Sequence, residues 1–538
     1  MPRNLEADMK TLRLVLDLAQ KRDFAAAATL AERTLADGFE HPMLLNVAAT
    51  QLEELGKDQE ALKLLERAVA ISPNDVGARN ALGLCLQRLD RPAEALFHID
   101  ELLRWQPDLH FAHASRGNAL IAMGLLGRAE ASHLRAVQLE PGNFVSLAAL
   151  SSIAIHRGQH QQARQWAQRA LTLAPGFPDA ILSLAAAELA NGELASAEPR
   201  LRQVIIDSRS GPTDRARAAG LLGDVLDAGG RYAEAFEFYL AGNEALAQIH
   251  QTLASADVLG YTHGLIAATE KLDVSRWRVA APAAMSDAAG HIFLLGFPRT
   301  GTTLVEVVLD GNPEVVSLEE HELLAQGVVE FMREPLDFMA LAQANDVAVS
   351  ALQADYWQRV RAAGIEPAGK VFIDKHPLNT VKLPLIAKLF PKAKILFAVR
   401  DPRDVVFSCF RRRFRMNPSM YEFLTLPGTA ALYAATMQVA QSAKRAFALD
   451  WHEIRYERMV ADFDAEMQRI CEFVGLDWSP AMGDFARRLN AREHATPSTA
   501  QLAQGLITSA TGHWRHYEAQ LSPILPALAP WLERFGYP

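Results

Sequence analysis

The sequence predicts two architectures in series: an N-terminal α-solenoid of helical repeats, then a three-layer α/β domain with a mainly parallel sheet. Three observations carry this. Small residues, turn residues and prolines recur every 34 positions through the first half of the chain. By residue 291 that period has ended, and a short apolar run, HIFLLGF, enters a glycine-containing loop followed by a helix-like stretch. A second apolar run, KILFAV, ends in a cluster of arginines and aspartates.

The repeat comes first. Pro73, Pro107, Pro141 and Pro175 are spaced by 34 residues. Ala61, Ala95, Ala129, Ala163 and Ala197 keep the same step, as do Gly56, Asp90, Gly124, Gly158 and Gly192. Each class has a physical role in a helical pair. The Gly/Asp position breaks the chain between two helices. The alanine, early in the second helix, lets helices approach closely. The proline stops the second helix. A small residue seven positions before each turn (Ala49, Gly83, Gly117, Ser151, Ala185) completes the pattern. This skeleton resembles the tetratricopeptide repeat, without the tryptophan of its consensus. Ala27 extends the array upstream. Gly223, Gly230 and Ala235 restore the spacing downstream, after a four-residue insertion around residues 208–213. About seven units are expected over residues 8–248, then a capping helix and linker over 249–285. A solenoid offers a long concave face for a peptide or protein, with a spacer or a homodimer surface as the alternatives.

Composition narrows the class. The chain has 538 residues and a net charge of −9, which disfavours a nucleic-acid coat. No apolar run reaches the ~18–20 residues of a membrane span. The opening MPRNLEADMK is polar and unlike a signal peptide, so a cytoplasmic protein is expected. Three scattered cysteines, Cys85, Cys409 and Cys471, do not form a metal or disulfide framework. No metal is expected elsewhere: HExxH and calcium-loop patterns are missing, and His513 and His516 alone do not make a site.

The third region carries the chemistry. Gly296-Phe-Pro-Arg-Thr-Gly301-Thr302-Thr303 has the spacing of a phosphate-cradling loop, with Thr302 where nucleoside triphosphate enzymes place lysine. Backbone N–H groups at the following helix still suit a phosphate. The missing lysine points to a different nucleotide, and Arg299 projects from within the loop. After KILFAV come Arg400 and a helix-like VVFSCFRRRFR, in which Ser408 and Arg412 are four apart and share a helical face. A solvated basic face is the alternative for this run.

Together the two motifs resemble the sulfotransferase superfamily, over about residues 286–538. PRTGTTL (Pro298, Arg299, Thr300, Gly301, Thr302, Thr303) is similar to its 5′-phosphosulfate loop, and RDPRDVVFSCFRRR (Arg400, Ser408, Arg412) to its 3′-phosphate motif. The resemblance implies 3′-phosphoadenosine 5′-phosphosulfate (PAPS) as donor, adenosine 3′,5′-bisphosphate as spent donor, and no metal. SLEEHELL resembles the GEE stretch of the tyrosylprotein sulfotransferases, with Leu318 in place of the glycine. Glu320, 21 residues after Arg299 as in those enzymes, is the implied base. Glu319 and Glu320 capping a helix is the alternative. Lys375 in DKHPLN is the implied catalytic lysine, sharing the leaving group with Arg299; His376 is a neighbour and alternative base. Ser498, in Thr-Pro-Ser, is implied to donate a hydrogen bond to the phosphosulfate. Tyr456 and Trp514 (in TGHW-x-x-Y, with Gly512 and Tyr517) are implied to lie by the nucleotide, or to be ordinary core.

The expected activity is sulfuryl transfer from PAPS to a hydroxyl of a peptide or protein, tyrosine first, with the solenoid suited to hold the chain. A glycan or lipid-linked acceptor is the near alternative. Rivals from other classes are a P-loop kinase or nucleoside triphosphatase, and a repeat scaffold with a decayed enzyme domain. Thr302 argues against the first; retention of Arg299, Glu320, Lys375, Arg400 and Ser408 argues against the second.

Overall fold

The computed structural model describes residues 5–21, 23–277, 288–336, 338–490, 502, 505–506 and 511–538. It divides into two compact units, one running to Ala187 and one from Glu188 onward.

Helices come in pairs from Leu5–Gln20 and Phe24–Ala36 through to Pro212–Ala228 and Tyr232–Ile249, seven pairs among the described residues. The periodic positions do the work their chemistry suggests. Ala27, Ala61, Ala95, Ala129 and Ala163 in the first unit, and Ala197 and Ala235 in the second, are fully buried. Among the described residues the turn position has left-handed backbone, φ 58° to 76°, so glycine is favoured there and Asp90 is the one non-glycine of these that tolerates it. The small position before each turn is small because the paired helix lies on it. A Cβ on Gly117 would overlap the His133 ring, and one on Gly83 would lie 2.8 Å from Ile99. Ser151 fits by donating its hydroxyl to the Ala163 carbonyl at 2.7 Å. The insertion around residues 208–213 runs into the start of a first helix of 17 residues, Pro212–Ala228, where most of its counterparts have 13.

The second unit holds a five-stranded sheet in the order β2-β3-β1-β4-β5, parallel throughout. The strands are β1 (Gly290–Leu295), β2 (Val315–Glu319), β3 (Val371–Lys375), β4 (Lys394–Val399) and β5 (Asp450–Arg455). Side chains alternate between faces. Ile292, Leu294, Ile373, Leu396 and Ile454 face one core, covered by helices Thr302–Leu309 and Phe463–Val474. Phe293 and Phe372 face the other, where helix Asp346–Ala362 brings Tyr356 and Trp357 against them. Both faces are covered, as an all-parallel sheet requires, and the three layers match the fold class read from the sequence.

Residues 258–277, just before the α/β region, pack onto it. Tyr261 donates to the Met332 carbonyl at 2.8 Å, Ser442 to Glu270 at 3.1 Å, and Trp277 meets Phe447 with ring centroids 4.6 Å apart. No helix among the described residues is long and apolar enough to cross a membrane.

The closeness at Gly117 gives a direct test. Gly117→Val should lower the chain's stability by about 1–3 kcal/mol, because the His133 ring must move. Urea unfolding followed by circular dichroism reads this as an earlier midpoint; an unchanged midpoint would mean the pair relaxes freely.

Candidate active site

In parallel α/β sheets the carboxyl ends of the strands open a crevice where neighbouring connections leave in opposite directions. Here that point lies between β1 and β4. The chain leaves β1 at Leu295, turns through Gly296, and starts the helix Thr302–Leu309 with Gly301 as cap at φ 98°. No side chain fits at Gly301: a Cβ would lie 2.6 Å from the Tyr456 ring. Arg299, in the same turn, is held left-handed at φ 70°. Such strain in a non-glycine residue persists only where the surroundings over-determine it.

Leaving β4, Arg400 donates to the Arg299 carbonyl at 3.2 Å and lies over the Tyr456 ring at 4.8 Å. Asp401 caps the helix Pro402–Arg411 by accepting from the Arg403 N–H at 2.9 Å. Two turns along, Ser408 accepts a hydrogen bond from Arg299 Nε at 3.1 Å. Between the β1 loop and this helix is a cavity of about 400 Å³, lined by Arg299, Gly301, Thr302, Thr303, Arg400 and Ser408, with Arg411, Arg412, Tyr456 and His513 also in its wall beside the carboxylates of Asp227 and Asp404. Burial destabilises the Arg299 charge, and nearby Arg412 and Arg400 add to it, so its pKa is pulled down. A bound anion relieves that crowding.

A second cluster lies at the ends of β2 and β3. Lys375 is 0% exposed, and its ammonium is 2.5 Å from Glu319, 3.1 Å from Glu320 and 3.5 Å from Glu306. Burial alone would push this ammonium's pKa down; the three carboxylates outweigh it and hold it above the ordinary lysine value. Glu306 is buried in the helix that starts at the β1 loop, and burial raises its carboxyl despite Lys375. Glu320 has left-handed backbone (φ 52°), its N–H donates to the Lys375 carbonyl at 2.7 Å, and its side chain is 48% exposed. It is the most exposed carboxylate of the three.

The Sulfotransferase family model matches residues 291–480. This region is a sulfotransferase-family domain. Tetratricopeptide-repeat models match residues 12–76, 53–116, 115–178 and 182–248. Among curated relatives, protein-tyrosine sulfotransferase 2 of Gallus gallus is 26% identical over 265 residues, 46% of this chain and 69% of that protein. Protein-tyrosine sulfotransferase 1 of Mus musculus is 34% identical over 128 residues, 23% of this chain and 34% of that protein. An uncharacterized protein of Aquifex aeolicus is 24% identical over 334 residues, 58% of this chain, which spans only 41% of its length. Among solved structures, the type IV pilus biogenesis factor PilW is similar with a TM-score of 0.34 and 22% identity, over 38% of this chain and 93% of that one.

In the sulfotransferase domain, the residues read from sequence as binding the donor fall into three groups. Arg299, Gly301, Thr302, Thr303, Arg400, Ser408, Arg412 and Tyr456 share the cavity wall. Arg412 gets there differently from expectation: the helix ends at Arg411, and Arg412 leaves it with extended backbone (φ −92°, ψ 142°). Pro298 and Thr300 serve the loop itself; the Thr300 hydroxyl donates to the Phe297 carbonyl at 2.7 Å and the Pro298 carbonyl accepts from the Cys409 thiol at 3.5 Å. Trp514 is not in the wall. It is buried under Arg403, whose guanidinium lies 3.9 Å from its ring centre, and its backbone N–H donates to Asp404 at 2.9 Å.

Of the residues read as catalytic, Arg299 faces the cavity, Glu320 and Lys375 pair with each other, and Ser498 lies outside the described residues. Lys375 meets carboxylates on three sides. His376 faces Glu322, 3.4 Å away. Glu306, Asp227 and His513 were not singled out from sequence. Glu306 sits in the apolar run TLVEVVL, and a lone acid inside such a run is the signal that marks it. Asp227 belongs to the repeat region and carries no local motif.

Replacing Lys375 by Met should destabilise the fold by about 3–5 kcal/mol, since it leaves the buried Glu306 carboxylate without its cation. The Glu306 carboxyl, already raised by burial and lowered by Lys375, then lies further above its unfolded value, so the variant's stability falls as pH rises through the unfolded carboxylate range. Denaturation at pH 5 and pH 8 should show the larger deficit at pH 8. An equal deficit at both would mean the Glu306 carboxyl is not coupled to this lysine.

Proposed function

We propose that this chain transfers a sulfuryl group from PAPS to an acceptor hydroxyl, with a peptide or protein tyrosine as the acceptor. The observation that carries the reading is the cationic cavity between the β1 loop and the helix after β4. Its size is typical of small-molecule sites. Its chemistry fits a nucleotide with separate phosphates. The N-terminus of helix Thr302–Leu309, with Thr302, Thr303 and Arg299, suits the 5′-phosphosulfate. Arg400, Ser408 and Arg412 suit a 3′-phosphate, and the buried Arg412 Nε has no hydrogen-bond partner of its own. The likeness to protein-tyrosine sulfotransferases supports the choice of tyrosine.

The residues divide the work by charge. Glu320, half exposed and fixed by Lys375, takes the proton of the acceptor hydroxyl. As the acceptor oxygen bonds to sulfur, the bond from sulfur to the phosphate oxygen breaks, and the electron pair stays on that oxygen. Arg299 stabilises the charge left there. Lys375 holds Glu320 in place through the 3.1 Å contact between ammonium and carboxylate. The barrier is lowered by positioning and by preset charge, as in phosphoryl transfer.

Calorimetric titration of the full chain with adenosine 3′,5′-bisphosphate and with magnesium ATP tests the donor class. Binding of the bisphosphate and none of ATP is expected; a preference for ATP would sink the reading. Arg400→Ala should weaken the bisphosphate by about 10- to 100-fold, the range for a lost charge-assisted hydrogen bond. Glu320→Gln should bind it as wild type does yet lose turnover on tyrosine peptides. Normal turnover by Glu320→Gln would show that the base lies elsewhere.

A further inference from the structure

The last helical repeat is built into the wall of the donor cavity. Helix Pro212–Ala228 ends with Asp224 and Asp227, three residues apart and so on one face. Both meet the arginine run that closes the helix Pro402–Arg411. Arg413 donates to Asp224 at 2.8 Å and Arg411 to Asp227 at 3.1 Å. Asp227 also accepts from His513 at 2.9 Å and from the Tyr517 hydroxyl. Asp227 and Ala228 line the same cavity as Ser408 and Arg412.

The surrounding contacts show a fitted seat. Asn243, in the second helix of the repeat, donates to the Phe410 carbonyl at 2.8 Å, satisfying one of the last carbonyls of the arginine helix. The Tyr239 hydroxyl donates to Asp224 at 3.0 Å. Gly220 leaves room for Arg413, whose guanidinium occupies the place a Cβ would take. Phe236 stacks on Phe410 at 5.5 Å.

A carboxylate on the wall of an anion pocket normally weakens binding. Asp227 is an exception by its partners. Burial pushes its carboxyl up, but His513, Arg411 and Tyr517 outweigh this and hold it below the ordinary value, with its charge spent on them. Asp224 is buried too, and Arg413, Arg412 and Arg411 hold it down in the same way. Three consecutive guanidiniums, Arg411 to Arg413, repel one another. The two aspartates pin the outer pair and leave Arg412 between them at the cavity.

We infer that Asp227 and Asp224 of the last repeat are positioning residues for the 3′-phosphate of the nucleotide, acting through Arg411 and Arg413 on the placement of Arg412 and Ser408. The inference rests on the donor reading above. It makes the last repeat part of the enzyme domain, not a detachable adaptor.

The test compares two nucleotides that differ only at the 3′ position. Adenosine 3′,5′-bisphosphate and adenosine 5′-phosphate are titrated, the weaker by competition, into the full chain and into Asp227→Asn and Asp224→Asn. In wild type the bisphosphate should bind more tightly. In Asp227→Asn the bisphosphate should weaken by about tenfold, the scale of one charge-assisted contact, while the 5′-phosphate changes less than about twofold. Should Asp227→Asn fail to fold, Asp224→Asn reads the same ratio. A parallel loss for both nucleotides would show a merely structural role and overturn the inference, as would an unchanged ratio. A wild-type chain with no preference for the bisphosphate would instead sink the donor reading itself, and this inference with it.

Discussion

Cationic charge held at the carboxyl edge of a parallel sheet is the constraint around which the second unit is arranged. Arg299 comes from the loop after β1, Arg400 from the end of β4, and Arg411 to Arg413 from the close of the next helix. Burying guanidiniums is costly unless they are paired. The structure pairs most of them in part: Arg299 with Ser408, Arg411 with Asp227, Arg413 with Asp224, and Arg400 at 3.8 Å from Asp404. Asp404 in turn accepts the N–H groups of Gly512 and Trp514, so the C-terminal segment is tied to the same cluster. What this pairing leaves is a cavity with a surplus of positive charge.

The neighbouring strands carry the opposite sign. Along the order β2-β3-β1-β4-β5, the carboxylates of Glu319 and Glu320 stand at the end of β2, around Lys375 at the end of β3. Glu306 joins them from the helix that begins at the β1 loop, so one eight-residue helix links the two clusters. Three acids on one buried lysine leave net negative charge, and burial keeps Glu306 reluctant to ionise. The edge of the sheet is therefore polarised, acidic over β2 and β3 and cationic over β1 and β4. A proton acceptor and an anionic nucleotide need this separation if they are to work side by side.

Much of this was legible in the sequence, and the physical reason differs by element. Repeat positions are legible because size and backbone sign act locally: Ala95 is buried and Gly124 is left-handed for reasons contained within 34 residues. The β1 loop is legible because glycine and threonine at fixed spacing have few uses after a buried strand. Arg412 was placed on the cavity by helical spacing, yet it arrives after the helix has ended, since the end of a helix depends on what receives it. Trp514 failed to declare its place because an aromatic residue near arginines packs as readily on Arg403 as on a nucleotide. Lys375 was readable as a charged residue after a strand. Its enclosure was not, because Glu306 is 69 positions away in sequence and shows no pattern with it.

Asp224 and Asp227 were the least legible, for a reason that bears on function. In a repeat array each helix answers to its neighbours, and a polar residue away from the repeat's own core reads as solvent-facing. The final repeat answers to something else as well. Gly223 is small because Tyr239 of its own pair lies on it, while Gly220, three residues earlier, is small because Arg413 of the sulfotransferase domain does. One helix thus satisfies the grammar of the solenoid on one face and the needs of an arginine cluster on another. Deleting repeats to ask what the solenoid binds therefore gives different answers by position. A cut that removes Pro212–Ala228 strips Asp224 and Asp227 from the arginines, and any loss of activity then reports on the cavity before it reports on capture of an acceptor. A cut that ends before Glu188 leaves those pairs in place, and only that kind of cut can separate a solenoid that holds substrate from one that does not.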